Sequence, residues 1–411
     1  MLKITDKALC CGCGVCAQAC PVGCIRLESD SEGFLYPKTD EDACIRCGKC
    51  ERVCPFRTEN LREPAQSVKA YLVKNGDEEV RQVSSSGGAF LLLADAVLRD
   101  HGVVFGARME GLTCVHGAAQ TASGVRAFCG SKYVQSDSTA VWKQVERELK
   151  SGKKVLFTGT PCQVAGLKRF LAKPYENLLC ADLICHGTPS PGVFARYCEE
   201  LTQEYGEVPR ALRFRHKERN WQCVTDMLVE KQDGTVVTRK NDAFLLGFLT
   251  NLYLRPSCYA CRANGNRSGS DLTLADYWGA ETLDPKAEDG KGVSLVLTKS
   301  KAGEAALHSV QQEGNAMVRP APLEHALLFN RTLFSSSGMN LGRSAFFEEL
   351  EHSDAAFEKV VKKYCRPRNA PKTWLAIRVK RLFGYRFYNR LWMLAFGRGI
   401  GKHDIGGNSV L

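Results

Sequence analysis

Cys10, Cys13, Cys16 and Cys20, followed by Pro21, stand in the spacing C-x2-C-x2-C-x3-C-P, and Cys44, Cys47, Cys50 and Cys54, followed by Pro55, repeat it. Cysteine thiolates are ligands for soft metal centres. A C-x2-C-x2-C loop wraps three corners of an iron-sulfur cubane, while the fourth cysteine, set back before a proline, reaches the other cluster. Cys54 is therefore expected to complete the first cluster and Cys20 the second. The small residues Gly12, Gly14 and Gly48 let backbone amides approach the sulfurs. Paired C-x2-C units also hold zinc, but two complete four-cysteine runs in tandem favour two 4Fe-4S clusters. Cys11 and Cys24 fall outside the repeat and read as small buried residues, with Cys11 able to stand in for a neighbouring corner.

A further set of cysteines is spread over three turns. Thr158-Gly159-Thr160-Pro161-Cys162-Gln163 follows the apolar stretch Val155 to Phe157 and opens a helix, which puts Cys162 at a helix N-terminus where a thiolate is stabilised. Cys185-His186-Gly187-Thr188-Pro189 follows Leu178 to Ile184 in the same way, and Cys258 and Cys261 form a C-x2-C pair. Cys162, Cys185, Cys258 and Cys261 suit one additional 4Fe-4S cluster. His186 has the pKa range of a proton relay; a hydrogen bond that fixes the cluster turn explains it as well. The unpaired Cys114, Cys129, Cys180, Cys198, Cys223 and Cys365 read as small buried hydrophobes.

Two polar turns complete the candidates. Ser84-Ser85-Ser86-Gly87-Gly88 offers hydroxyls and amides at the mouth of an apolar helix, where a phosphate or a flavin edge can sit; a capped helix accounts for it equally. Gly130-Ser131-Lys132-Tyr133-Val134-Gln135-Ser136 adds a lysine and hydroxyls suited to a pyrophosphate, against the alternative of a solvated loop.

The elements that position these turns are legible in the apolar pattern. Ile25 to Leu27 and Phe34 to Tyr36 read as short strands between the cysteine repeats. Beyond a polar stretch, strands at Ala70 to Val73, Val103 to Ala107, Val155 to Phe157, Leu178 to Ile184 and Val293 to Thr298 alternate with helical segments. Those helices run from about Gly88 to Arg99 and Thr139 to Lys150, and after Pro161, Pro191 and Ala302. Such alternation predicts an α/β domain. Between Leu212 and Arg239, alternating residues around Asp233-Gly234 predict a hairpin. The expected architecture is an α+β ferredoxin-like domain (1–57), a linker (58–67), a mixed α/β flavin-binding domain (68–361) and a basic helical C-terminal tail (362–411).

Charge narrows the partners. The net charge of +11 belongs to the tail, which carries twelve Lys and Arg against Asp404, while the preceding 361 residues balance at 44 against 44. The excess is confined to an appendage, so no nucleic-acid partner is expected. From Thr373 to Phe396, aromatic and aliphatic residues interleave with arginine and lysine, a pattern predicting peripheral contact with an anionic membrane or an acidic partner; a helix packed on the body would fit as well. Twenty cysteines without a recognisable signal peptide indicate thiols in a reducing, cytoplasmic compartment, and no apolar run has the length to cross a bilayer.

The N-terminal repeat resembles the bacterial two-cluster ferredoxins. The larger domain, on Ser84 to Gly88, Gly130 to Ser136, Thr158 to Gln163, Cys185 to Pro191 and Cys258 to Gly279 in that order, resembles the beta subunits of the coenzyme F420 hydrogenase and dehydrogenase family. That resemblance implies FAD held by the glycine and lysine turns, through Ser85, Ser86, Gly87, Gly88, Ser131, Lys132, Tyr133, Ser136, Gly159, Thr160 and Gln163. It also implies one 4Fe-4S cluster beside the flavin and two-electron reduction of an organic acceptor. The implied partners are a redox donor, such as ferredoxin or a partner dehydrogenase or hydrogenase subunit, and a small organic acceptor. Two other readings stay open: an electron-transfer adapter that reduces no small molecule, and a transferase using the Cys162 thiol with structural clusters.

Overall fold

The computed structural model describes residues 2–57, 61–217 and 221–365, with Val379 and Leu391. The expected membrane-binding helix in the tail lies outside the described residues, as does part of the expected linker. In the N-terminal unit, β1 (Ile25–Ser29) pairs antiparallel with β2 (Leu35–Thr39), Ile25 opposite Thr39. Each cysteine loop leads into a short helix, Val15–Ala19 and Lys49–Arg52, through Gly14 at φ 72° and Gly48 at φ 70°. A side chain there would meet the left-handed penalty, so glycine makes both turns at the lowest conformational cost.

The larger part is a mixed α/β fold built on one eight-stranded sheet. Its strands are β3 (Lys69–Asn75), β4 (Val103–Glu110), β5 (Thr113–Ala119), β6 (Val155–Thr158) and β7 (Leu178–Leu183). A small antiparallel sheet of β8 (Ala211–Arg213), β9 (Met227–Glu230) and β10 (Val236–Arg239) interrupts them in sequence, before β11 (Leu272–Asp276), β12 (Ser294–Thr298) and β13 (Ala316–Ala321). The large sheet runs β13-β3-β12-β11-β7-β6-β4-β5. Its centre is parallel, β4 with β6, β6 with β7 and β7 with β11, and the flanks are antiparallel.

Alternate residues of the central strands supply two cores, as the two-residue period of a strand requires. Val104, Leu156 and Ala181 pack under the helices Ala89–Arg99 and Lys301–Gln312. Val103, Phe105, Val155, Phe157 and Leu178 point to the other face, under Trp142–Lys150 and Pro161–Leu171. Val15, Ala19, Val53 and Phe56 of the N-terminal unit enter that same second core. Each large apolar side chain removed from water there contributes about 1.5–3 kcal/mol. Polar contacts reinforce the seam: Cys13 O accepts from Trp142 Nε1 at 3.0 Å and from Ser138 Oγ at 3.2 Å, and Arg343 pairs with Glu32 at 2.7 Å.

Before the tail, the expected strands and helices are present, with three further strands and with further helices such as Ala243–Leu249 and Phe357–Tyr364. The further strands are β5, β11 and β13; β5 and β13 carry weak strand signals, since β5 holds Gly117, Ala118 and Ala119 and β13 contains Pro320. A proline is tolerated there because β13 is an edge strand. The helix expected from Thr139 starts at Trp142, because Asp137 Oδ1 accepts the Thr139 N–H at 2.8 Å and holds that segment in a turn. Among the described residues, no helix is long and apolar enough to cross a membrane.

Candidate functional site

The structure gathers the cysteines into three neighbouring groups. Cys10, Cys13, Cys16 and Cys54 line one small cavity with Gly12, Gly14 and Pro55, so the fourth thiol of the second repeat does join the first three. Cys20 lies with Cys44 and Cys50 around a buried patch that includes Cys24 and Ile25, and Cys47, in the same loop as Cys44 and Cys50, is exposed. Cys24, which the spacing excludes, places its Sγ 3.4 Å from that of Cys20. The third group joins three turns. Cys162 opens the helix after β6, Cys185 follows β7, and Cys258 and Cys261 lie in and just after the turn Pro256–Ala260. Thr188 N–H points to Cys258 Sγ at 3.4 Å, Thr160 Oγ1 lies 3.1 Å from Cys162 Sγ, and Ser336 Oγ accepts the Cys261 N–H at 2.9 Å. The carboxyl ends of parallel strands thus carry the site, as in open α/β sheets generally.

The surroundings suit iron. Burial raises the Cys185 thiol well above its ordinary value, and the neighbouring Cys258, Cys162 and Cys261 raise it further. Burial likewise raises Cys16, to about 12, with Cys10, Cys54 and Cys50 adding to it. Sulfurs crowded in a dry pocket cannot all ionise unaided; a bound cationic core would relieve that repulsion and fix them as thiolates. Among the described residues no three His, Cys, Asp or Glu side chains converge on a single ion.

The groups form a sequence in space. Cys16 of the first group packs against the buried patch that includes Cys50 of the second. Cys11, fully buried, interacts with Cys13 on one side and Cys162 on the other. It is therefore more than a filler, because it stands at the junction of the first and third groups. The sequence offered only its adjacency to Cys10.

The polar turns also meet. Ser85 Oγ lies 2.8 Å from Ser131 Oγ. Ser86 Oγ donates to Val293 O at 2.7 Å, Gly87 N–H to Ser294 Oγ at 3.0 Å, and Gly88 caps the helix Ala89–Arg99. Lys132 Nζ reaches three backbone carbonyls, those of Ala127, Cys129 and Gly130, at 2.7 to 3.3 Å, and burial lowers its pKa to about 8. Tyr133 stacks on Phe248 at 4.7 Å, and Phe248 meets the His186 ring edge to face at 5.0 Å. One aromatic layer therefore separates this turn from the turn of Cys185. The His186 ring is mostly buried, which lowers its pKa, and its Nε2 has no hydrogen-bond partner among the described residues.

Other polar residues near these turns escaped the sequence pattern. Lys217 Nζ bonds the carbonyls of Arg81, Ser86 and Lys291, each at 2.8 Å; burial first, then Arg215, pull its pKa to about 7. Arg215 pairs with Asp276 at 2.6 Å and lies over Trp221 and Trp278. His116 bonds Ser136 Oγ through Nδ1 at 2.9 Å and Thr158 O through Nε2 at 3.1 Å. A carbonyl only accepts, so Nε2 carries the proton and Ser136 donates to Nδ1. Gln163 completes this chain, donating to Ser136 at 3.0 Å and accepting from Thr160 N–H at 2.9 Å. A cleft of about 800 Å³ opens between Leu35 and Phe194 and reaches Gly12 and Gln135.

Comparison with known proteins matches residues 9–58 to the 4Fe-4S dicluster domain. Residues 152–323 match the family described as the C terminus of the coenzyme F420 hydrogenase/dehydrogenase beta subunit. The second match contains all four cysteines of the third group, and the turns Ser84 to Gly88 and Gly130 to Ser136 precede it. Among solved structures, the chain is similar to one in the xenon-derivatised F420-reducing [NiFe] hydrogenase complex from Methanosarcina barkeri. The two are 15% identical with a TM-score of 0.44, over 79% of this chain and 96% of that one. A search of curated proteins gives no match.

Proposed function

We propose that this chain, which joins a 4Fe-4S dicluster domain to a domain of the coenzyme F420 hydrogenase/dehydrogenase beta subunit family, is an oxidoreductase working between a one-electron donor and a two-electron organic acceptor. The observation that supports the reading is the closeness of the thiol groups: Cys16 of the first packs against the patch that holds Cys50 of the second, and Cys11 lies beside both Cys13 and Cys162. Cys10, Cys13, Cys16 and Cys54 would hold one 4Fe-4S cluster, Cys20, Cys44, Cys47 and Cys50 a second, and Cys162, Cys185, Cys258 and Cys261 a third. The gathering of Cys162 with three other thiols favours a ligand over a lone nucleophile.

Iron-sulfur clusters supply single electrons and a flavin exchanges two, so the pair would link the two kinds of chemistry. The residues that would hold FAD are Ser85 to Gly88, Ser131 to Tyr133 and Ser136, supported by the Ser85–Ser131 contact, the Arg215 cation and the Lys217 amine bonded to Ser86 O. Gly159, Thr160 and Gln163 would act at one remove, by fixing the turn of Cys162. His186 would contribute a neutral imidazole between the third group and the Tyr133 turn. The donor would dock near Cys47, as a ferredoxin or a partner subunit. We divide the chain at 1–57, 58–67, 68–361 and 362–411, and place it in a reducing, cytoplasmic compartment, with the tail as a peripheral membrane contact.

Anaerobic reconstitution tests this. The full chain should bind about twelve irons, four per cluster, together with FAD, and the dithionite-reduced protein should reduce a deazaflavin or another two-electron acceptor. Cys258→Ser should lower iron toward about eight. A sample with full iron but no flavin and no turnover would indicate the adapter instead.

A further inference from the structure

Arg255 is completely buried, at 0% exposure, and belongs to two sites at once. Its backbone is part of the third group's turns: its N–H donates to Thr188 O at 2.9 Å, and its carbonyl accepts from the Cys258 N–H at 2.8 Å. Its side chain crosses to the first group. Nε donates to Cys10 O at 2.7 Å, Nη2 to Leu35 O at 2.9 Å and toward Cys10 Sγ at 3.6 Å, and Nη1 to Gln135 Oε1 at 3.0 Å. The Tyr36 ring lies under the guanidinium at 4.2 Å. Gly12 makes room for it: the loop runs at φ 69° there, and a Cβ would stand 2.6 Å from Nη1.

No Asp or Glu among the described residues forms an ion pair with this side chain. A buried guanidinium cannot shed its proton, and an uncompensated buried charge is costly. The anions within reach are the sulfurs. Cys10 Sγ stands 3.6 Å from Nη2, and Cys258 lies one turn further along the chain, its N–H bonded to the Arg255 carbonyl. All-cysteine iron-sulfur centres carry net negative charge, and nearby charge and hydrogen bonds to sulfur set their potentials.

We propose that Arg255 is a positioning residue that supplies one positive charge shared by the first and third cluster sites, raising both reduction potentials together. The inference rests on the three-cluster reading above. When one electron leaves the first cluster and arrives at the third, the pair's total charge is unchanged, so a cation between them favours the reduced state of each without opposing transfer. The second cluster, on the far side of the first, receives little of this effect.

The experiment is an EPR-monitored redox titration of the anaerobically reconstituted full chain, with signals assigned through Cys47→Ser and Cys258→Ser. Arg255→Gln should shift the first cluster's one-electron equilibrium toward the oxidised form at least tenfold, about 59 mV. The third should move in the same direction, and the second less than twofold. Arg255→Lys should recover most of the change. Unmoved potentials, equal shifts at all three clusters, or equal shifts for Gln and Lys would overturn the proposal. Should Gln lose iron while Lys keeps it, the charge is needed for assembly and the proposal stands; if both lose it, the fork geometry alone matters and the proposal fails. Iron well below twelve in the unsubstituted chain would sink the three-cluster reading instead, so the two failures are told apart.

Discussion

His116 sits in a dry, fully bonded pocket that lowers its pKa from 6.5 to about 4, burial being the chief cause. The unfolded chain therefore takes up this proton first as pH falls. Stability from this group is intact above about pH 6.5, is lost as pH falls toward about 4, and changes no further below that. The full loss is about 3 kcal/mol. His116→Gln removes the titration, so its denaturation midpoint, followed anaerobically in urea, should depend less on pH between 6.5 and 4.5 than that of the unsubstituted chain; equal slopes would exonerate His116. The eight candidate thiols of the two repeats were legible because a cluster-binding loop would impose short local spacings on the chain. His116, Lys217 and Arg255 were not, because their partners lie far away in sequence: Arg255 and Cys10 are 245 residues apart, and no local pattern marks such a pair.

At the scale of elements, the helix Pro161–Leu171 depends on how its first turn is held. Gln163 is 5% exposed and ties Thr160 N–H, Ser136 and, at 3.4 Å, Ser138 into one network. Ser138 in turn bonds Cys13 O, so the network reaches from the turn of Cys162 to the first cysteine loop. Gln163→Leu keeps the volume but strands several buried polar groups, at a cost of about 1–3 kcal/mol each where no water replaces the partner. The expected result is a lower denaturation midpoint and reduced iron retention at the third group. Unchanged values for both would show that the network is ornamental. The strand-turn-proline pattern made this helix visible, and the family resemblance implied a cofactor contact for Gln163. A glutamine at the third helical position suits that role and the structural one alike, and no local pattern marks its bonds to Ser136 and Ser138.

For the whole molecule, the question is whether residues 1–57 form an independent module. The polar stretch after the second repeat reads as a linker, and on sequence alone the two parts look separable. Packing argues otherwise, because Val15, Val53 and Phe56 share a core with Trp142, Phe157 and Val164, and a shared core couples unfolding. Periodicity could not reveal this: the N-terminal helices have five and four residues, too short to display the apolar face they bury against the α/β sheet. Phe56 is 2% exposed, and Phe56→Ala should cost about 3–5 kcal/mol. If the core is common property, visible absorbance from the clusters and far-ultraviolet circular dichroism from the large sheet will fall together in one transition, shifted to the same lower temperature in the variant. Cluster absorbance that bleaches well before the circular dichroism changes would mean that the N-terminal unit detaches and unfolds alone. Coincident loss would mean that the fold fixes the first and third thiol groups relative to one another for as long as the protein stays folded, as stepwise electron transfer past Cys11 requires.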